Sequence, residues 1–270
     1  MVRILNSAER KILASILNQT PPIFWEELQL NKSQQKIFAQ KLSQLEAGQP
    51  LDYVIGQTEV GGLKLKITPD VLIPRPETVE WLEFLQNEFR NNHTVLDIGT
   101  GSGLIGLWVA KLVKQVILTD VCPLALRIAK HNAQLNQIFN IEFFKSDLLQ
   151  NPDLTKRLLT TKNLILLANL PYLPDSDRPL KGLHNISYEP DLALFSGSDG
   201  LDLFRRLLLE LSDLQFQPEC LVFELDPRNI RLASELVFKQ LRWATYCDLQ
   251  IWSDSNGLDR CLIFRNHQAG

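Results

Sequence analysis

An α/β fold, built on a seven-stranded, mainly parallel sheet with an antiparallel last strand and preceded by a small N-terminal helical domain and a connecting β-hairpin, is predicted by three observations. Beyond about residue 77, apolar β-rich runs alternate with helical segments, the pattern of parallel strands joined by crossovers. The last two runs are joined by a stretch containing Asn256 and Gly257 that has no room for a crossover helix, so they pair antiparallel. Before residue 77 the pattern is helical and then broken by glycines, which sets the front of the chain apart.

Residues 4–17 place Leu5, Ala8, Ile12 and Ile16 at helical spacing, and residues 34–45 repeat this with Ile37, Phe38, Leu42 and Leu45. From 51 to 73, short apolar stretches interrupted by Gly56, Gly61, Gly62 and Pro69 predict a hairpin and not another helix. Pro76 suits the first turn of a helix that carries Val79, Leu82, Leu85 and Phe89 on one side. Seven strands follow, at Thr94–Leu96, Val116–Leu118, Ile141–Phe144, Leu164–Leu167, Cys220–Leu225, Thr245–Trp252 and Cys261–Phe264. The expected division is therefore a helical domain over 1–50, a hairpin connector over 51–77 and a sheet domain over 78–270.

Composition excludes several classes. The chain of 270 residues is 45% hydrophobic and 22% charged, which rules out disorder. Lys and Arg total 28 against 31 Asp and Glu, a net charge of -3 that provides no overall basic footprint for nucleic acid. No apolar run has the length of a membrane span and the start has no signal-peptide core, so a cytoplasmic protein without a membrane partner is expected. Cys122, Cys220, Cys247 and Cys261 form no CxxC pair and read as reduced thiols. His93, His131, His184 and His267 have no metal-ligand spacing, so no metal is expected; of these, His184 is nearest in sequence to the reacting loop.

The first strand of the sheet runs into Asp97-Ile98-Gly99-Thr100-Gly101-Ser102-Gly103, and a helix follows directly. Glycines at every second position let backbone approach a ligand closely, although a tight strand-to-helix connection without a ligand would read the same way. Two further strand ends weigh against the ligand-free reading. Asp120 ends the second strand, where a carboxylate can accept from both ribose hydroxyls, and Asp147 ends the third, near the expected position of an adenine amino group. The glycine order is GxGxG with an acid two residues earlier, not the GxGxxG of nicotinamide enzymes, and this favours S-adenosylmethionine. Asp97 orients the turn or approaches the methionine amino group.

The fourth strand ends in Asn169-Leu170-Pro171-Tyr172. An amide or exocyclic amine is a poor nucleophile because its lone pair is delocalised, so it needs acceptors that hold both NH hydrogens and aim the nitrogen at the methyl. Asn169 supplies one acceptor and the Leu170 carbonyl the second, Pro171 stiffens the loop, and the Tyr172 ring can pack on a flat amide or base. No general base is needed, because the nitrogen proton becomes acidic as the new bond forms.

These features resemble the bacterial release factor glutamine methyltransferases, which have a Rossmann-like methyltransferase sheet and methylate the glutamine amide of a Gly-Gly-Gln motif. The resemblance rests on Pro50 to Gly56, Leu72-Ile73-Pro74-Arg75-Pro76-Glu77-Thr78, Val95 to Gly103, and Asn169 to Tyr172. It continues in Glu189-Pro190-Asp191-Leu192-Ala193-Leu194, in Asp199 to Asp202 and in Gly257 to Arg260. It implies that Gly99, Thr100, Gly101, Ser102, Gly103 and Asp120 bind S-adenosylmethionine, with S-adenosylhomocysteine as product, and that Asp147 and Leu148 lie near adenine. Asn169 and the carbonyl of residue 170 would hold the glutamine amide, at the junction of substrate and cofactor. The implied partner is a peptide chain release factor in translation termination, with the helical front gripping it, no direct nucleic-acid contact and a monomeric enzyme. Leu170 departs from the family's usual Pro, Leu148 from a frequent aromatic, and Glu224-Leu225-Asp226-Pro227 from the usual glycine-containing turn.

Three other readings remain. A ribosomal-protein glutamine methyltransferase would use the same chemistry. A ribosomal RNA adenine methyltransferase shares the Asn-x-Pro-Tyr loop. Residues 1–77 carry nine Lys and Arg against eight acids, leaving, by difference from 28 and 31, 19 against 23 in the sheet domain, which disfavours RNA. An inert cofactor-binding module is the third, prompted by Leu170.

Overall fold

The computed structural model describes residues 4–183, 185–214 and 216–266. Helices α1 (Ser7–Leu17) and α2 (Lys32–Glu46) each start at an asparagine whose side chain accepts from the backbone three residues on, Asn6 from Glu9 and Asn31 from Gln34. In both, the Glu9 or Gln34 side chain returns the bond to the cap backbone, so two otherwise unpaired N–H groups are satisfied at each start. The span expected as a hairpin alone opens instead with a short helix, α3 (Leu51–Ile55), between Pro50 and a left-handed Gly56. Proline favours the start of a turn and glycine its end, and that punctuation outweighs the short apolar pattern. Leu5, Ile12, Leu13, Phe38 and Val54 form the common core of these three helices.

Strands β1 (Gln57–Val60) and β2 (Leu63–Lys66) make the hairpin. Helix α4 (Pro76–Leu85) follows with proline in its first turn; it ends before Phe89, which is buried beyond a 3₁₀ turn and not on the helix. The main sheet then contains β3 (Thr94–Ile98), β4 (Gln115–Asp120), β5 (Ile141–Lys145), β6 (Leu164–Ala168), β7 (Cys220–Glu224), β8 (Cys247–Ser253) and β9 (Asp259–Asn266). Their order is β5-β4-β3-β6-β7-β9-β8, and β9 runs antiparallel to both its neighbours while the other pairs are parallel.

Successive residues of each strand feed opposite faces. Val95, Val116, Leu118, Ile165, Leu167 and Val222 pack with α4, α5 (Leu104–Val109), α6 (Pro123–Leu135) and the hairpin. Leu96, Ile117, Leu166, Leu221, Phe223 and Phe264 pack with α7 (Pro152–Leu159), α8 (Asp202–Asp213) and α9 (Ile230–Gln240). Burial on both faces explains why these strands read as continuous apolar runs.

Candidate active site

Strand order reverses beside β3, whose neighbours are β4 on one side and β6 on the other. Crevices form at the carboxyl ends of strands at such a switch point. The register makes these ends level: Ile98 pairs with Thr119 and with Ala168, Asp120 with Lys145, and Ala168 with Phe223. A cavity of about 400 Å³ lies along this edge, lined by Gly99, Thr100, Gly101, Ser102, Asp120, Asp147, Leu148, Asn169, Leu170 and Pro171 among others. Asp97, Gly103 and Tyr172 are outside its lining. Tyr172 instead packs against the core cluster of α8 and β7, and burial pushes its phenol pKa up.

Asp97 sits beneath the glycine turn, fully buried. One carboxylate oxygen accepts from Thr100 Oγ1 at 2.6 Å and Gly106 N at 3.0 Å, and the other has no hydrogen-bond partner among the described residues. Burial pushes its pKa up to about 7, against the pull of those two donors. Gly106 permits this approach: a Cβ there would lie 2.0 Å from Leu118 Cδ2. Gly101, at φ +54°, faces open space, as a ligand-facing position requires. The N–H groups of Gly99 and Thr100 go to Thr119 O, that of Gly103 to Thr100 O and that of Gly101 to Asp120. With four donors engaged, the turn is not built to cradle a pyrophosphate.

Asp120 ties the turn to the next helix, accepting from Gly101 N at 2.9 Å and Cys122 N at 2.8 Å. Burial raises its pKa and these backbone bonds oppose the rise. Each oxygen keeps lone-pair capacity for a ligand hydroxyl. Asp147 is held by Arg206 at 2.8 Å, while Glu210 accepts from Leu149 N at 2.8 Å, so α8 fixes the loop after β5. Leu148 takes a left-handed backbone conformation with φ 49°.

Asn169 donates through Nδ2 to Thr78 Oγ1 at 3.4 Å. Its Oδ1 and the Leu170 carbonyl accept no hydrogen bond among the described residues. The Leu170 side chain lies over Gly99, where a Cβ would stand 3.0 Å from its Cδ2. Two further stretches complete the rim. Pro74, Arg75 and Thr78 line it from one side and Pro190, Leu192 and Ala193 from the other. They are joined by Arg75 Nη2 and buried Glu189 Oε2 at 2.6 Å. Leu173 N to Leu194 O and Ser196 N to Leu173 O, both 2.9 Å, bring this second stretch back beside the Asn169 loop.

Site reasoning from sequence missed Thr78, Arg206 and Glu224. The available signal for Glu224 was an acid ending an otherwise apolar strand, Cys220–Glu224. Of the histidines, His93 precedes the amino end of β3, opposite the cavity edge, and pairs with Glu219 at 3.3 Å, and His131 borders a separate shallow hollow. His184 and His267 lie outside the described residues. All four cysteines are free, and among the described residues no group of three or more His, Cys, Asp or Glu could hold a metal.

A family model for ribosomal protein L11 methyltransferase (PrmA) matches residues 75–170. The release factor glutamine methyltransferase of Streptococcus pneumoniae (strain ATCC BAA-255 / R6) is 35% identical over 229 residues, covering 83% of this chain and 79% of the relative. The chain belongs to the release factor glutamine methyltransferase family. The Bacillus cereus release factor glutamine methyltransferase is 30% identical over 257 residues, 92% of this chain and 87% of its own. Among solved structures, the hMettl16 catalytic domain in complex with MAT2A 3'UTR hairpin 1 superposes with a TM-score of 0.60 at 15% identity, covering 98% of this chain and 96% of that one. Ribosomal protein L11 methylase from Lactobacillus delbrueckii subsp. bulgaricus gives 0.50 at 19% identity, covering 75% and 86%. These last two share the fold. A release factor glutamine methyltransferase with this class of fold uses S-adenosylmethionine. The cavity fits that group: its size suits a small ligand, apolar Ile98, Ile105, Val121 and Leu148 provide walls for a base, and Asp120 and Asp147 present oxygens to a cationic molecule. No described helix is long and apolar enough to cross a membrane.

Proposed function

We propose that this enzyme transfers the methyl group of S-adenosylmethionine to the side-chain amide nitrogen of the glutamine in the Gly-Gly-Gln motif of peptide chain release factors. The observation that carries the reading is the pair of acceptors, Asn169 Oδ1 and the Leu170 carbonyl, unengaged among the described residues at the rim of the cavity. Asp120 would hold the ribose hydroxyls, Asp147 and Leu148 would flank adenine, and the Gly99 to Ser102 part of the turn would face the methionine part. The cofactor supplies a methyl group activated by its sulfonium. Asn169 and Leu170 would each accept a hydrogen bond from one amide N–H, which fixes the nitrogen and stabilises the positive charge that reaches it as the new bond forms, one N–H proton then passing to solvent. Pro171 keeps their backbone in place.

The electrostatics support a protein substrate over a nucleic acid. The cavity lining holds two cations, Arg75 and Arg206, and each is already ion-paired, with Glu189 and Asp147 respectively. Neither is placed to clamp a phosphate backbone. A free-standing monomer, without metal or direct nucleic-acid contact, is part of the same proposal, as is a substrate grip by the helical region over residues 1–50, with 51–77 as its connector. The catalytic part is then 78–270.

Incubation with labelled S-adenosylmethionine and a release factor tests the reading. Label on the Gly-Gly-Gln glutamine is the expected result; label in ribosomal RNA or on a ribosomal protein would replace the substrate, and cofactor binding without any transfer would indicate an inert module. Asn169→Ala should retain cofactor affinity and lose about 10²-fold or more in kcat, since one of two positioning acceptors is removed. Unchanged turnover would refute its role.

A further inference from the structure

Helix α4 delivers two hydrogen-bond donors to one buried carboxylate. Thr78 Oγ1 and Trp81 Nε1, one turn apart on the same helix face, lie 2.8 Å and 2.7 Å from Glu224 Oε2. All three residues are buried, at 2%, 0% and 3% exposure. Glu224 is level with Asn169, because the preceding residues Ala168 and Phe223 are paired across β6 and β7. Thr78 also touches Asn169, with Nδ2 3.4 Å from its hydroxyl oxygen.

We propose that Thr78, anchored by Glu224, is a positioning residue that sets which way the Asn169 side-chain amide faces. The proposal rests on the glutamine-methylation reading of the site. A hydroxyl has one hydrogen and two lone pairs. Glu224 takes the hydrogen of Thr78, so the lone pairs of Thr78 remain for Asn169, and only the NH₂ end of that amide can meet them favourably. Oδ1 is thereby turned toward the cavity. The reversed amide would set Oδ1 against the lone pairs of Thr78 and present NH₂ to the NH₂ of a substrate amide, donor against donor. The indole N–H of Trp81 on the same oxygen holds Glu224 in register. Chemistry that needs an acceptor at the end of β6 thus depends on a carboxylate at the end of β7 that never meets substrate.

The test compares Thr78→Val, which removes the hydroxyl while keeping a branched side chain, with Thr78→Ser, which restores it. Thr78→Val is expected to lower kcat on the order of 10- to 100-fold while S-adenosylmethionine affinity stays within about twofold. Thr78→Ser should recover most of the rate. A second readout needs no substrate: the Asn169 side-chain amide proton resonances, assigned by their disappearance in Asn169→Ala, should shift and exchange faster with solvent in Thr78→Val than in wild type or Thr78→Ser. Wild-type turnover in Thr78→Val, or equal loss in both variants in proportion to lowered melting temperature, would overturn the assignment. If wild-type enzyme does not methylate a release factor, the glutamine reading fails by itself. The amide resonances then decide, and unaltered Asn169 signals in Thr78→Val would overturn the positioning role.

Discussion

Asp97 combines full burial with a carboxylate that is only half satisfied, since Thr100 and Gly106 serve one oxygen and the other has no partner among the described residues. The folded protein therefore holds its proton up to about pH 7, whereas an unfolded chain releases it near 3.8. The sign follows from linkage. Between those values the folded state binds more protons, so this group's contribution to stability falls as pH rises through the window and levels off above 7. Asp97→Asn removes the titration. Urea unfolding from pH 4 to 8 should show a wild-type stability that declines relative to the variant, by at most about 1.4 kcal/mol per pH unit. A constant difference across the range would contradict the buried-acid account.

At the scale of elements, the hairpin is fastened to the sheet domain by two asparagines, Asn132 on α6 and Asn136 at its C-cap. Asn132 accepts from Lys66 N at 2.7 Å and donates to Lys66 O at 3.1 Å and to Ser102 O at 2.8 Å, while Asn136 makes the equivalent pair with Lys64. They satisfy the free edge of β2 as a neighbouring strand would, and Asn132 reaches the glycine turn as well. Asn132→Ala should cost about 1–3 kcal/mol, because the buried Ser102 carbonyl and the partly buried Lys66 backbone groups lose their partner. Denaturant melts would measure this, and faster amide exchange at Lys64 and Lys66 would locate it. The central strands β3, β4, β6 and β7 were legible because they are buried on both faces and bounded by polar turns. The bonds of Asn132 were not, since they join residues 66 and 30 apart in sequence and leave no local pattern.

Across the whole molecule, the Arg75–Glu189 pair ties the stretch before α4 to the segment that returns to the Asn169 loop, 114 residues later. Glu189 is 1% exposed at its side chain, whereas Arg75 keeps 33%, so the pair is partly shielded from solvent. A double-mutant cycle of Arg75→Ala and Glu189→Gln should give a coupling energy of about 0.5–3 kcal/mol in unfolding, and additive effects would show that the two stretches are held by other contacts. The sequence by itself determined the strand count, the antiparallel last strand, the helical front and the strand-end positions of Asp97, Asp120 and Asn169, because periodicity and glycine placement are local signals. Only the tertiary structure decided that Tyr172 turns into the core while Leu170 lies over Gly99, and that Thr78 and Glu224 stand behind Asn169. Those arrangements depend on strand order and register, which bring ends of β6 and β7 together with α4 from distant parts of the chain.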